Sequence, residues 1–349
     1  MSWDNVKGVS SAKIWTDNPD MTQAFLFANG NHQVKLTIGI NFTLNSSTQA
    51  GPTADEVKAA FNLVDFETGS EISHLKSGDK DEYSYVYQPG LPMVVQAIEA
   101  SDVGAYQYEF DYYLSSDSTI NANYASEKVA LLLSYIDTSG KEVNYSTASG
   151  SKSQSYVAVT MYPPKKYGTA GSSSTPVIIK LKDDKMSPTY NYSHRIDNLT
   201  VSTWSLRIDD NYFRIIKMQA SSSEESPYPF YRHGTNTESG VVYDEDWETN
   251  EGFLLVENKL NQGHVSYNST MAVTYDDQNL YFFEFTINVK QEPYEIIFTH
   301  FYAIILPPEE TGFHNKTDTA SLSAFDQFGN KINIEVAKTN DGFSVKNIT

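Results

Sequence analysis

The chain contains no cysteine among its 349 residues, which removes disulfides, thiol nucleophiles and thiolate metal sites together. It is also short of positive charge: 25 Lys and Arg stand against 44 Asp and Glu, a net charge of −19. That balance excludes the basic face needed to bind nucleic acid and disfavours electrostatic docking on anionic lipid. Long apolar runs are missing too. AIIL at 303–306 is among the longest, far short of the roughly 20 residues a membrane helix needs. The start, MSWDNVKGVSSAKIW, has no basic stretch followed by an apolar one, so no classical signal peptide is expected. Together these absences predict a soluble chain, made in the cytosol or exported by a route that leaves no N-terminal mark.

Catalytic signatures are equally scarce. There is no G-x-S-x-G elbow, no Walker loop, no G-x-G-x-x-G and no H-E-x-x-H. The seven histidines are scattered, and no two sit close enough to suggest a local metal pair. The chain therefore reads as a non-enzyme with no catalytic residues to name.

What is present is aromatic and strand-forming. With 24 Tyr, 18 Phe and 4 Trp, the chain has ample material for real cores, and such composition favours strands over helices. The clearest stretch is QVKLTIGINFTL, 33–44. Val34, Leu36, Ile38, Ile40, Phe42 and Leu44 recur at a strict period of two, which makes one face of a long strand buried against a core. Asn29-Gly30-Asn31 before it is a hairpin signal after the strand QAFLF. Residues 1–20 read as irregular. Thr53 with Glu56 predicts a capping box before a short helix near 54–61, and FNLVDF after it reads as a strand.

Residues 70–90 look loop-like, PMVVQAIEA resumes a strand, and KVALLLSYIDTSGKEVNYST reads as two strands about a turn. PPKKYGTAGSSSTP, 163–176, carries no periodicity and reads as a linker. The expected layout is a domain over 1–165, a linker over 166–176 and a second domain over 177–349. In the second half, MAVTYDDQNLYFFEFTINV and SLSAFDQFGNKINIEV read as hairpins, the latter turning at Gly329.

The segment SDVGAYQYEFDYYL, 101–114, puts Tyr106, Tyr108, Phe110 and Tyr112 on one face of a strand. Its Asp102-x-Gly104-x-Tyr106-x-Tyr108 resembles the D-x-G-x-Y-x-C signature of immunoglobulin-like domains, with Tyr108 in place of the cysteine. The resemblance implies a cysteine-free sandwich in which Tyr106 makes a tyrosine corner, its hydroxyl bonding back to upstream backbone. DQNLYFFEF, 277–285, repeats part of this pattern, as two related sandwiches would. The expected fold is all-β: two β-sandwich domains, immunoglobulin-like or jelly-roll-like, with one short helix inserted in the first.

On such scaffolds the loops carry binding. Trp247, and Tyr228 and Tyr231 of SPYPFYRHG, are candidate ligand contacts, and Trp204 is a candidate for stacking on a sugar ring. Asp244, Asp246 and Glu248 form the densest acidic segment; oxygen-rich loops of this kind hold Ca²⁺, although the spacing fits no EF-hand and a solvated loop looks the same. The preferred function is a non-enzymatic binding or assembly protein of bacterial type, recognising a glycan or protein surface through loops at the sandwich ends, with self-assembly a variant. One alternative is a membrane-active pore-forming or insecticidal-type toxin. The Ser/Thr-rich run YSTASGSKSQ, 145–154, resembles the insertion hairpins of pore-forming β-toxins in composition but lacks their alternation, and so reads as a flexible loop. The other alternative is a carbohydrate-active enzyme, which needs two converging carboxylates.

Overall fold

The structure, a computed structural model, describes residues 2–17, 21–47, 49–89, 106–117, 125–137, 139–168, 175–185, 189–190, 195–210, 212–220, 241–243, 249–256, 271–275, 279–284, 294–306, 319–339 and 342–348. The fold is all-β with one short α-helix and one turn of 3-10 helix, Ser2–Asn5, among these residues. The chain divides into two compact units. Unit 1 takes Met1–Lys165 together with Gln327–Asn330, and unit 2 takes Lys166–Asp326 and Lys331–Thr349.

The strands of unit 1 are β1 (Val6–Trp15), β2 (Gln23–Phe27), β3 (Gln33–Leu44), β4 (Phe61–Asp65), β5 (Leu75–Gly78), β6 (Tyr108–Ser116), β7 (Ala125–Ile136), β8 (Glu142–Ser146) and β9 (Val157–Tyr162). The helix α1 covers Ala54–Ala59. One sheet has the order β1-β3-β6-β5; the other has β2-β9-β7-β4, with β8 also paired to β7. Leu36, Ile38 and Ile40 of β3 are fully buried. They pack in one cluster with Leu26, Leu131, Leu133, Val159 and Met161 of the opposite sheet and Val57 of α1. Two sheets closing on one apolar layer make a sandwich. Each of these side chains contributes roughly 1.5–3 kcal/mol by leaving water.

The capping box forms as the sequence predicts. The Glu56 N–H donates to Thr53 Oγ1 at 3.3 Å, and the Thr53 N–H donates to Glu56 Oε2 at 2.8 Å. Between β7 and β8, Gly140 has φ +76° and its N–H donates to the Asp137 carbonyl at 2.9 Å. Within residues 145–154, Thr147 is fully buried and its Oγ1 donates to the Ser155 carbonyl at 2.7 Å, while residues 152–154 are exposed.

Several expectations are corrected. Residues 6–15 are not irregular but form β1, antiparallel to β3 with Ile14 opposite Ile38. Two register shifts, between Val6 and Gly8 and between Val9 and Ser11, break its alternation, because each bulge moves the side-chain phase by one. Asn29-Gly30-Asn31 does not close a hairpin, since β2 lies parallel to β9 in the other sheet. The turn instead carries the chain from one sheet to the other. A short strand, β5, interrupts residues 70–90. Tyr106 lies before β6, and the bond to upstream backbone belongs to Tyr108, whose hydroxyl donates to the Pro52 carbonyl at 2.6 Å. The strand expected over PMVVQAIEA lies outside the described residues.

Unit 2 contains β10 (Thr175–Lys185), β11 (Thr189–Tyr190), β12 (Arg195–Asp209), β13 (Ile215–Ala220), β14 (Val241–Tyr243), β15 (Thr249–Val256), β16 (Met271–Tyr275), β17 (Asn279–Glu284), β18 (Ile296–Leu306), β19 (Thr319–Asp326), β20 (Lys331–Thr339) and β21 (Gly342–Ile348). They pair in three sheets, β10-β12-β18-β15-β14, β11-β17-β16 and β13-β19-β20-β21. The predicted hairpins are present as β16–β17 and β19–β20. Leu206, Ile215, Ile296, Ala324 and Ile332 are fully buried.

Candidate functional site

The outward face of the β1-β3-β6 sheet is built from the residues of β3 that do not enter the core. Lys35, Thr37, Gly39 and Asn41 point there, and the strand register sets their neighbours: Trp15, Thr37 and Asp111 form one cross-strand row, and Lys13, Gly39 and Glu109 the next. A solvated face would carry only polar groups here. Instead, Tyr106 stacks on Trp15 with ring centroids 5.6 Å apart and planes 27° from parallel.

Gly39 makes room for that pair. A Cβ at this position would stand 2.5 Å from Tyr106 Cδ2 and 2.8 Å from the Trp15 ring, closer than carbon atoms pack. Side-chain amides hold the segment that delivers Tyr106. The Gln107 N–H donates to Asn41 Oδ1 at 2.6 Å, the Phe42 N–H to Gln107 Oε1 at 2.8 Å, and Asn41 Nδ2 to Ser11 Oγ at 2.9 Å. Burial and the nearby Glu109 push the Tyr106 hydroxyl above its ordinary range, so it remains protonated and able to donate.

Charge is arranged beside the rings. Both oxygens of Asp111 are engaged, one by Lys35 Nζ at 2.9 Å and the other by the Thr37 hydroxyl at 2.8 Å. At the end of β1, Thr16 fixes the chain: its N–H donates to the Met21 carbonyl at 3.1 Å and its hydroxyl to the Lys35 carbonyl at 2.7 Å. The next residue, Asp17, sits at φ +56°, a left-handed conformation that Asp tolerates better than most residues. Burial pushes its carboxyl up to about 6, against the opposing pull of the Lys35 charge. Trp15 is itself buried under Tyr106, so the face offers the half-buried Tyr106 ring, an ammonium, a carboxyl that titrates in mild acid, and several amides and hydroxyls. Such a set can hydrogen-bond a hydroxyl-rich ligand and cover its apolar side.

Tyr228, Tyr231, Trp247, Asp244, Asp246 and Glu248 fall outside the described residues. Trp204 is a half-buried residue of β12, opposite Lys180 of β10. The Lys180 ammonium lies 5.6 Å from the centre of its ring, so one face already has a cation against it. Among the described residues, no group of three or more His, Asp or Glu is placed to hold a metal ion, and no helix is long and apolar enough to cross a membrane. Trp15, Asp17, Lys35 and Asp111 were missed by sequence reading because the bulged β1 concealed the strand that delivers the first two.

No family model and no curated protein matches this chain. Among solved structures it is similar to the C-terminal domain of the Streptococcus agalactiae antigen I/II polypeptide BspA. The identity is 11%, the match covers 96% of this chain and 99% of that one, and the TM-score is 0.19. It is likewise similar to the C-terminal domain of the Streptococcus pyogenes antigen I/II-family protein AspA, at 9% identity, 97% coverage of each chain and a TM-score of 0.18. At those TM-scores the likeness carries no argument about fold or function.

Proposed function

We propose that the chain is a non-enzymatic binding protein of bacterial type that recognises a glycan or protein surface with the outward face of its β1-β3-β6 sheet. The observation that supports this reading is the half-buried Tyr106 ring, seated over Gly39 and the buried Trp15 on a face that a solvated sheet would leave polar. Aromatic rings with hydrogen-bonding groups around them are the usual chemistry of a binding surface. The engagement of both Asp111 oxygens by Lys35 and Thr37 favours binding over hydrolysis, since a glycosidase needs two carboxyl groups turned toward substrate. Trp247, Tyr228 and Tyr231 are proposed as ligand contacts of unit 2 in their own right.

The test is an array of immobilised glycans and a panel of immobilised proteins, probed with labelled wild type, Tyr106→Ala and Lys35→Ala. Retention of wild type with at least about tenfold loss in both variants, their circular dichroism unchanged, is the expected result; tenfold corresponds to about 1.4 kcal/mol. Retention that neither variant weakens moves the site off this face. A wild type silent on both surfaces overturns the binding reading, and release of dye from loaded vesicles replaces it with the membrane-active one.

A further inference from the structure

The outward face of the β1-β3-β6-β5 sheet carries a second half-buried tyrosine besides Tyr106. Tyr113 stands directly opposite Lys35 across the β3–β6 pair, so the two side chains share a face. Lys35 is turned outward to meet Asp111 at 2.9 Å, which places Tyr113 outward as well. Tyr106 lies over Gly39. Positions 35 and 39 are four residues apart on β3, roughly 13 Å along the strand.

A glycine clears the sheet beside each ring. Gly39 leaves the room that Tyr106 occupies. Gly78 of β5 is paired with Tyr113, and a Cβ there would meet only Gln33 Nε2, at 4.0 Å. The flank of Tyr113 is therefore open where a side chain would otherwise close it. Gln33 bounds that end by holding the segment after β5: its Nε2 donates to the Asp79 carbonyl at 2.8 Å, and its Oε1 accepts from the Asp81 N–H at 2.9 Å.

The groups between the rings are polar. The Thr37 hydroxyl and the Lys35 ammonium each hold one oxygen of Asp111. At the margin, the half-buried carboxyl of Asp17 makes no hydrogen bond among the described residues. Lys13 and Lys35 stand against Asp17, Glu109 and Asp111, on a chain of net charge −19. An acidic ligand would find the central ammonium already neutralised and carboxyls in excess around it. A protein partner calls for a contiguous apolar centre, whereas these two rings are separated by hydrogen-bonding groups. A chain of sugars matches the spacing: its C–H faces lie on aromatic rings, and its hydroxyls donate to carboxylates and accept from hydroxyls and amides.

Resting on the reading of this face as the binding surface, we infer that its ligand is a neutral, extended oligosaccharide. One sugar stacks on Tyr106 and a later one on Tyr113, and Asp17 accepts from the hydroxyls of the sugar near Lys35.

The test is calorimetric titration of the full chain with neutral linear oligosaccharides of one to six units, in the gluco, manno and N-acetylglucosamine series, and with the acidic oligogalacturonates. At least one neutral series is expected to bind, with affinity rising at least tenfold from one unit to four and unchanged between low and high salt, because no charge is paired. Tyr113→Ala is expected to lower binding of the four-unit sugar at least tenfold. Gly78→Phe fills the open space beside Tyr113 without removing any contact of the fold, and is expected to do the same. Asp17→Asn, which keeps a residue suited to the left-handed backbone, is expected to weaken binding at least threefold. Preference for the acidic series overturns the inference and leaves the binding reading standing. So does oligosaccharide binding that Tyr106→Ala abolishes while Tyr113→Ala and Gly78→Phe leave it unchanged, and so does Tyr106-dependent capture of a protein with every oligosaccharide silent. Oligosaccharide binding that none of the variants weakens, all folded by circular dichroism, overturns both.

Discussion

One hydrogen atom at position 39 decides whether the Trp15–Tyr106 pair can form. Gly39 lies in the middle of a long central strand, where glycine weakens pairing and is kept when another group approaches closely. Its backbone is not in the left-handed region, so its value here is space alone. Gly39→Ala is expected to displace Tyr106 or Trp15 and cost about 1–3 kcal/mol, the range for overpacking a filled site. Gly8 is the control, since a Cβ there meets nothing within 4 Å. Gly8→Ala is expected to be neutral or to stabilise by a few tenths of a kcal/mol to about 1, through the lower entropy of the unfolded chain. Urea unfolding of both variants checks the pair, and equal midpoints would remove Gly39 from the account of the site.

At the scale of the element, what could be read depended on whether a signal was local. The capping box is a four-residue signal, and α1 begins where Thr53 and Glu56 place it. Thr53→Ala is expected to cost about 1 kcal/mol, the usual loss of an N-cap, with the effect confined to unit 1. Hydrogen exchange at the Glu56 and Val57 amides would register it, and an unchanged pattern would mean that packing of Val57 alone holds the helix. β3 was legible for a similar reason, its period-two run of Val34 to Phe42 being unbroken. β1 was not, because its two bulges put Val9 and Ser11 out of phase. The turn at 29–31 misled in a different way. Asn-Gly chemistry specifies a reversal of the chain, but whether the next strand pairs with the last or crosses to another sheet depends on distant partners such as β9. The candidate site shares that limit. Its lysine and aspartate rows come from three strands, and Gly39 acquires meaning only once Tyr106 is known to lie over it. Phe328 packs on Phe27 and His32, about 300 residues away along the chain, which no local pattern reports.

At the scale of the whole chain, two buried groups of unit 1 respond to acid in opposite directions. Burial holds the Asp17 carboxyl at about 6, above its ordinary 3.8. Its contribution is therefore fully present below about 3.8 and is lost as pH rises through 6. Burial holds the His32 imidazole at about 4, below its ordinary 6.5, against the opposing bond to the Tyr85 carbonyl. An unfolded chain takes up that proton first, so the contribution of His32 is present above 6.5 and is lost as pH falls toward 4. Across the shared window of roughly pH 4 to 6 the two slopes oppose each other, and each is limited to about 1.4 kcal/mol per pH unit. Asp17→Asn keeps a residue suited to φ +56° and leaves His32 alone, so the stability of unit 1 should rise more steeply with pH than in wild type. His32→Gln lowers stability throughout and should reverse the difference, with stability falling relative to wild type as pH rises. The double variant should track the wild-type slope. Urea titrations at several pH values in this window, in a Trp204→Phe, Trp247→Phe background so that emission reports Trp3 and Trp15 of unit 1, decide it. The slopes, rather than the absolute stabilities, are the readout, because the background of the remaining carboxylates is common to all four proteins and cancels between them. Parallel slopes in all four would mean that neither group is desolvated as the fold requires.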